Sequence, residues 1–106
     1  MVRGDVHAID LPRGAGRVQG GPRFAVIVQS DRLLSLSTVA ICPTSKSGSA
    51  ASFHPEVEVD GERTSVLCEM IRAFDASKLG RHIGHLTHDE IIAVDEALEL
   101  VLDLGV

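Results

Sequence analysis

An arginine stands directly ahead of an unbroken apolar run in GGPRFAVIVQSD, residues 20–31. Desolvating a guanidinium at the start of a strand is costly unless something anionic meets it, whether a carboxylate, a phosphate or a group of carbonyls. A second apolar segment, LSTVAICPT (36–44), ends on Thr44 and is followed by Ser45 and Lys46. If the two segments are neighbouring antiparallel strands, the start of one lies beside the end of the other, and Arg23 and Thr44 come within reach. A guanidinium fork beside a hydroxyl is a good seat for a phosphate. Arg13 and Arg17, in the glycine-rich stretch ahead of Arg23, and Lys46 would add cationic contacts around it. The same residues admit a plainer reading, in which Arg23 pairs with an acid such as Glu69 and Thr44 only closes a turn.

Other chemistries find less support. His82, His85 and His88 have an HxxHxxH spacing. Strand alternation puts His82 and His85 on opposite faces and His88 falls in the first turn of a helix, so no metal is expected. Serines and histidines are present without a GxSxG elbow, and neither a P-loop nor a GxGxxG after a strand occurs, so no cofactor is expected. The tripeptide Arg3-Gly4-Asp5 reads as the lead into a strand. Cys42 and Cys68 lie inside the apolar stretches VAICP and SVLCEM, as small buried hydrophobes do, and are expected to be reduced thiols.

At 106 residues the chain makes one modest core and therefore one domain. It has no apolar run near the roughly 20 residues that span a bilayer, and MVRGDVHAIDL lacks the apolar block of a secretory signal. Neither a membrane span nor export is expected; the cytoplasm is. A net charge of −5 argues against a protein that coats nucleic acid, yet the charge is uneven. Residues 1–50 hold six bases and three acids, whereas residues 51–106 hold four bases and twelve acids. A chain polarised in this way can present a basic groove while remaining acidic overall.

The elements that would position these residues are mostly strands. VHAIDL (6–11) is followed by a loop rich in glycine and proline; RFAVIVQS (23–30) and LSTVAICPT (36–44) have the continuous β-branched character of strands buried on both faces. HPEVEVD (54–60) alternates valines with acids, as a strand with one wet face does, and SKSGSAAS (45–52) is a small, polar loop. TSVLCEMIRAFD (64–75) supplies one or two more strands, Asp75 caps a single turn, and RHIGHL (81–86) returns as an edge strand. Thr87 to Glu90 has the capping-box spacing, and Ile91, Val94, Leu98, Val101 and Leu102 recur at helical intervals, predicting an amphipathic helix that ends near Gly105. Asp89, Asp95, Glu96, Glu99 and Asp103 on its other faces read as a solvated acidic surface. The fold expected is a small twisted β-barrel with a C-terminal helix packed on it.

In order and spacing, RGDVHAIDL, QGGPRFAVIVQSD, TVAICPTS, SVLCEMIRAFDASKLGRHIGHLT and DEIIAVDEALELVLDL resemble the MazF/PemK family of toxin ribonucleases. The resemblance covers nearly the whole chain, 1–106, as one domain. It implies an SH3-like barrel of the CcdB/MazF kind, working as a homodimer that cuts single-stranded RNA at short sequences without a metal. It also implies a MazE-like antitoxin whose acidic tail lies in the RNA groove. Carried over by position, the family's catalytic arginine falls on Arg23 and its catalytic threonine on Thr44. Attack by a ribose 2′-hydroxyl on the adjacent phosphate builds negative charge on the phosphoryl oxygens, which fixed donors stabilise, and leaves a 2′,3′-cyclic phosphate and a 5′-hydroxyl. Arg13, Arg17, Gln19, Ser45 and Lys46, on the loops 12–22 and 45–53, would contact the flanking RNA. The chain departs from the family pattern at Phe24, where proline is usual, at Val18, where a glutamate is common, and at Met70, where glutamine is common. The fold also serves toxins of the CcdB kind that grip DNA gyrase, and a silent member would bind only RNA or antitoxin; fold alone does not separate these.

Overall fold

The unbroken apolar run after Arg23 becomes the centre of a sheet covered on both sides. The computed structural model describes residues 1–12 and 21–105. Strand β1 (Asp5–Leu11) pairs antiparallel with β2 (Gly21–Ile27), and β2 pairs antiparallel with β3 (Thr38–Ser45). Side chains alternate between two cores along β2. Val26, with Val28 just beyond the strand, joins Val6, Cys42 and Val66, while Ala25 and Ile27 join Ile9, Ile41 and Phe74. Burial on both faces explains why no polar residue interrupts the run.

Strand β3 changes partners along its length. Its first half, Thr38–Ile41, pairs with β6 (Arg72–Asp75); Ile41–Pro43 pair with β2; Thr44 and Ser45 pair with β5 (Glu62–Val66). With β4 (Glu56–Val59) beside β5 and β7 (His82–His85) beside β1, the strand order is β4-β5-β3-β2-β1-β7, with β6 added at β3. All the pairings are antiparallel, and the sheet curls into a nearly closed barrel, mainly β with a terminal helix as expected. In β4 the valines at 57 and 59 are buried and the glutamates at 56 and 58 exposed, matching the alternation. Asp60 and Gly61, with φ of 54° and 77°, make the two-residue turn into β5. Positive φ at both central positions is what a tight hairpin of this hand requires, and Asp-Gly is suited to it.

Helix α1 (His88–Leu102) begins on the expected capping box: Glu90 N–H donates to Thr87 Oγ1 at 3.2 Å, and Thr87 N–H donates to Glu90 Oε1 at 2.9 Å. The other carboxylate oxygen of Glu90 accepts from the Glu58 N–H at 2.8 Å, so one side chain both caps the helix and fastens it to β4. Val94, Ala97 and Leu98 pack on the core that contains Val6 and Val26. The helix stops at Leu102, short of Gly105, because Asp103 turns left-handed at φ 52°. Its acidic face is not wholly solvated, contrary to the sequence expectation: Asp95 Oδ1 lies 2.7 Å from Arg3 Nη1. Arg3 Nε also donates to the Val28 carbonyl at 2.8 Å, so this arginine ties the lead into β1 to the helix and the end of β2. Gly4 between them has φ 93°, and a Cβ there would meet Ile91 Cδ1 at 2.8 Å.

A second correction concerns the histidines. His82 and His85 do not diverge. The register of β1 against β7 slips between Val6 and His7, so that His85 faces Asp5 and His82 faces His7 with Ile83 as the extra residue. The irregularity turns a spacing of three into an effective spacing of two, and both rings reach one carboxylate oxygen: Asp5 Oδ1 is 2.9 Å from His85 Nδ1 and 3.3 Å from His82 Nε2. Burial pushes the Asp5 carboxyl upward, but the Val2 N–H and the two histidines outweigh it and hold it below the usual carboxylate range. His88 lies apart, in the first turn of the helix. Among the described residues no group of three histidine, cysteine or acidic side chains is placed to hold a metal ion. Nor, among them, is any helix long and apolar enough to cross a membrane.

Candidate functional site

The antiparallel pairing of β2 with β3 brings the start of one beside the end of the other. Arg23 Nη1 donates to the Thr44 carbonyl at 3.0 Å, and Thr44 Oγ1 donates to the Phe24 carbonyl at 3.2 Å. The Arg23 side chain is thus bonded to the Thr44 main chain, and the Thr44 side chain to the main chain of the next residue along β2, Phe24. Thr44 is 4% exposed, whereas Arg23 is half-buried. The threonine hydroxyl is held in place by the barrel, its proton committed to the Phe24 carbonyl.

Arg23 stands where two depressions meet. One, of about 890 Å³, is walled by Arg23, Ser47, Ser49, His54, Glu69 and Arg72; the other, of about 500 Å³, by Arg23, Phe24, Thr44, Lys46 and Thr64. Ser45 and Ser47 also border both. The two adjoin as one concave track at the Arg23–Thr44 pair, lined in part by donors that suit an anionic backbone. Ser45 is buried, and its hydroxyl is shared with Ser47 at 3.2 Å. Lys46 reaches out on the rim and pairs with the Glu62 carboxylate, both side chains being more than half exposed. An exposed pair of this kind is worth about 0–1 kcal/mol, so the ammonium is readily given over to a phosphate. Arg13, Arg17 and Gln19 lie outside the described residues.

Glu69, the acid suggested as a mate for Arg23, is engaged elsewhere. Its Oε2 lies 2.6 Å from His54 Nε2, and His54 Nδ1 lies 2.7 Å from the Ser49 carbonyl. Burial lowers the affinity of the ring for its proton, but the Ser49 carbonyl and the Glu69 carboxylate more than offset that, and His54 titrates above the usual imidazole value. Nothing in the sequence singles out His54: it precedes β4 by two residues and meets Glu69 only because β5 brings the chain back across the barrel. Neither thiol lines the two depressions. Cys42 and Cys68 are buried and unbridged, and the Cys68 sulfur together with burial pushes the Cys42 thiol up, which leaves it protonated and a poor nucleophile.

A nearly closed antiparallel barrel with one terminal helix packed on it is a fold shared with small barrel toxins of known structure, among them a MazF of Deinococcus radiodurans, with a TM-score of 0.84 at 20% identity over 97% of this chain and 96% of that one. The chain belongs to the PemK-like, MazF-like toxins of type II toxin–antitoxin systems, a family that matches residues 2–102. It is 34% identical over 109 residues to the endoribonuclease EndoA of Bacillus subtilis, spanning 96% of this chain and 94% of that one. It is 32% identical over 110 residues to the endoribonuclease MazF of Staphylococcus epidermidis, spanning 97% and 92%. A mycobacterial endoribonuclease solved with its cognate antitoxin has the same fold: the TM-score is 0.84 at 19% identity, over 100% of this chain and 98% of that one. These likenesses bear out the family and the barrel read from the sequence.

Proposed function

We propose that this chain is a sequence-selective endoribonuclease toxin that cuts single-stranded RNA without a metal, with Arg23 and Thr44 at the scissile phosphate. The observation that carries this reading is the bond from the Arg23 guanidinium to the Thr44 carbonyl where two depressions meet, with the Thr44 hydroxyl held on the neighbouring Phe24 carbonyl, together with kinship to two endoribonucleases. The guanidinium has a fixed charge and several donors, and keeps its proton at any working pH. Aimed at the phosphoryl oxygens, it stabilises the charge that builds as the 2′-hydroxyl attacks and the 5′-oxygen departs. Bonding to the Thr44 carbonyl pre-orients the guanidinium, so little reorganisation accompanies the reaction. The Thr44 hydroxyl turns from Phe24 to a phosphoryl oxygen. The new 2′-oxygen–phosphorus bond replaces the bond to the 5′-oxygen, the proton lost from the 2′-hydroxyl balances the one gained by the 5′-oxygen, and the products are a 2′,3′-cyclic phosphate and a 5′-hydroxyl.

Ser45 and Lys46 then contact the flanking backbone on one side, and Arg13, Arg17 and Gln19 are assigned to the other. The protein works in the cytoplasm as a homodimer, and a cognate antitoxin silences it by laying an acidic tail along the same track. Kinship to a toxin solved with its antitoxin supports that partner. The test is to incubate the purified protein with mixed-sequence single-stranded RNA in EDTA and to map the new 5′ ends by sequencing. Cleavage at one short motif with 5′-hydroxyl ends is expected. Intact RNA after prolonged incubation, or cleavage only when a divalent ion is restored, refutes the proposal.

A further inference from the structure

We propose that His54 is a positioning residue for RNA cleavage: it ties the segment between β3 and β4 to Glu69 and so fixes that wall of the track beside Arg23. The inference rests on the ribonuclease reading above and adds a residue to it. A carbonyl oxygen only accepts, so His54 Nδ1 carries a proton and donates it to Ser49 at 2.7 Å. At 2.6 Å from a carboxylate oxygen, Nε2 carries a proton as well when Glu69 is ionised. Both ring N–H groups are therefore engaged and the ring is an imidazolium. With neither nitrogen open to the substrate, the ring holds rather than reacts.

What it holds is functionally placed. Residues 46–55 connect β3 to β4, and Ser47, Gly48, Ser49 and His54 all line the larger depression together with Arg23. The His54 side chain is 10% exposed and packs edge-on against the Phe53 ring, with centroids 4.6 Å apart. Charged groups that share its surroundings are Glu69 on the turn before β6, Arg72 in β6 and Arg23 in β2. Loss of the ring proton removes a donor and sets a nitrogen lone pair against the Glu69 carboxylate, which parts the segment from the opposite wall. The tie is complete below the usual imidazole value and is lost as pH rises through the elevated one.

The experiment compares the wild type with H54Q and E69Q by amide hydrogen exchange over residues 46–53 and by the pH dependence of single-stranded RNA cleavage in EDTA. In the wild type, KM is expected to rise about tenfold across the alkaline limb with kcat within about threefold, as for loss of one charge-assisted hydrogen bond that serves binding. H54Q should show the high KM and fast exchange at every pH. E69Q should move the limb to lower pH, because it removes the negative charge that holds the ring proton. Equal exchange in wild type and H54Q overturns the tie, and altered exchange with an unchanged KM profile overturns its role in positioning RNA. A wild type that cleaves no RNA brings down the ribonuclease reading and this inference with it, whatever the exchange shows.

Discussion

Replacing Arg23 with lysine keeps a positive charge at the junction of β2 and β3 but removes the planar fork. The structure shows why the fork matters. One guanidinium nitrogen is committed to the Thr44 carbonyl at 3.0 Å, and a planar group with five N–H donors can hold that bond while presenting others to a phosphate. A lysine head carries three donors on a single nitrogen and lacks the flat fork that spans the carbonyl and a phosphate at once. Loss of one fixed donor to a developing oxyanion costs about 10²–10³ in rate, or about 2.7–4 kcal/mol of transition-state stabilisation. Arg23→Lys should therefore fall by about a hundredfold, and Arg23→Ala by about a thousandfold or more. The effect on folding is bounded separately. Arg23 is half-buried, and a hydrogen bond from a charged donor contributes about 1.5–3 kcal/mol, so the alanine variant still folds, with a lowered melting temperature. Single-turnover cleavage of a fluorogenic single-stranded RNA in EDTA, with circular dichroism to verify the fold, measures both quantities. Lysine at wild-type rate, or alanine within tenfold of it, refutes the placement of Arg23 at the scissile phosphate.

Thr44→Val removes the donor to the Phe24 carbonyl at 3.2 Å and should cost about 1 kcal/mol, lowering the melting temperature by about 4–8 °C, together with most of the activity. Thr44→Ser keeps the hydroxyl and should retain both; a valine variant that melts with the wild type contradicts the bond. Because the Asp5 carboxyl is depressed in the folded protein, its contribution is present above the unfolded carboxylate value and disappears as pH falls through the folded one. Asp5→Asn should flatten that acid-side loss in urea titrations taken from neutral pH to about pH 2.5. Thr87→Ala should cost about 1 kcal/mol as a lost helix cap, and Glu90→Ala more, since Glu90 also serves the Glu58 N–H; chemical denaturation in which Glu90→Ala is the milder of the two contradicts the double role.

The features legible in the sequence are those that depend on neighbours along the chain or on strict periodicity. The two-sided burial of residues 25–28, the alternation of 56–59 and the capping box at Thr87 follow from side-chain period and local hydrogen bonding. The approach of Arg23 to Thr44 followed from one topological assumption, that consecutive strands pair antiparallel. Contacts made by irregularity or by distant return were not legible. The bulge that turns His82 and His85 to the same side has no signature in RHIGHL, so a count by alternation misplaced them. Arg3 meets Asp95 and His54 meets Glu69 across the barrel, where neither spacing nor composition points from one residue to the other. The acidic helix face was accordingly read as solvated throughout, and the tie at His54 was missed. Residues 13–20, which hold three of the expected RNA contacts, lie outside the described residues.

Because β3 is paired by an upstream strand, β2, and by two downstream ones, β5 and β6, its end at Thr44 gains its downstream neighbour only when Val66 has joined. A nascent fragment ending before that point would hold both Arg23 and Thr44 without the strand that braces Thr44. On the function proposed above, cleavage would therefore have to wait for β5 to dock.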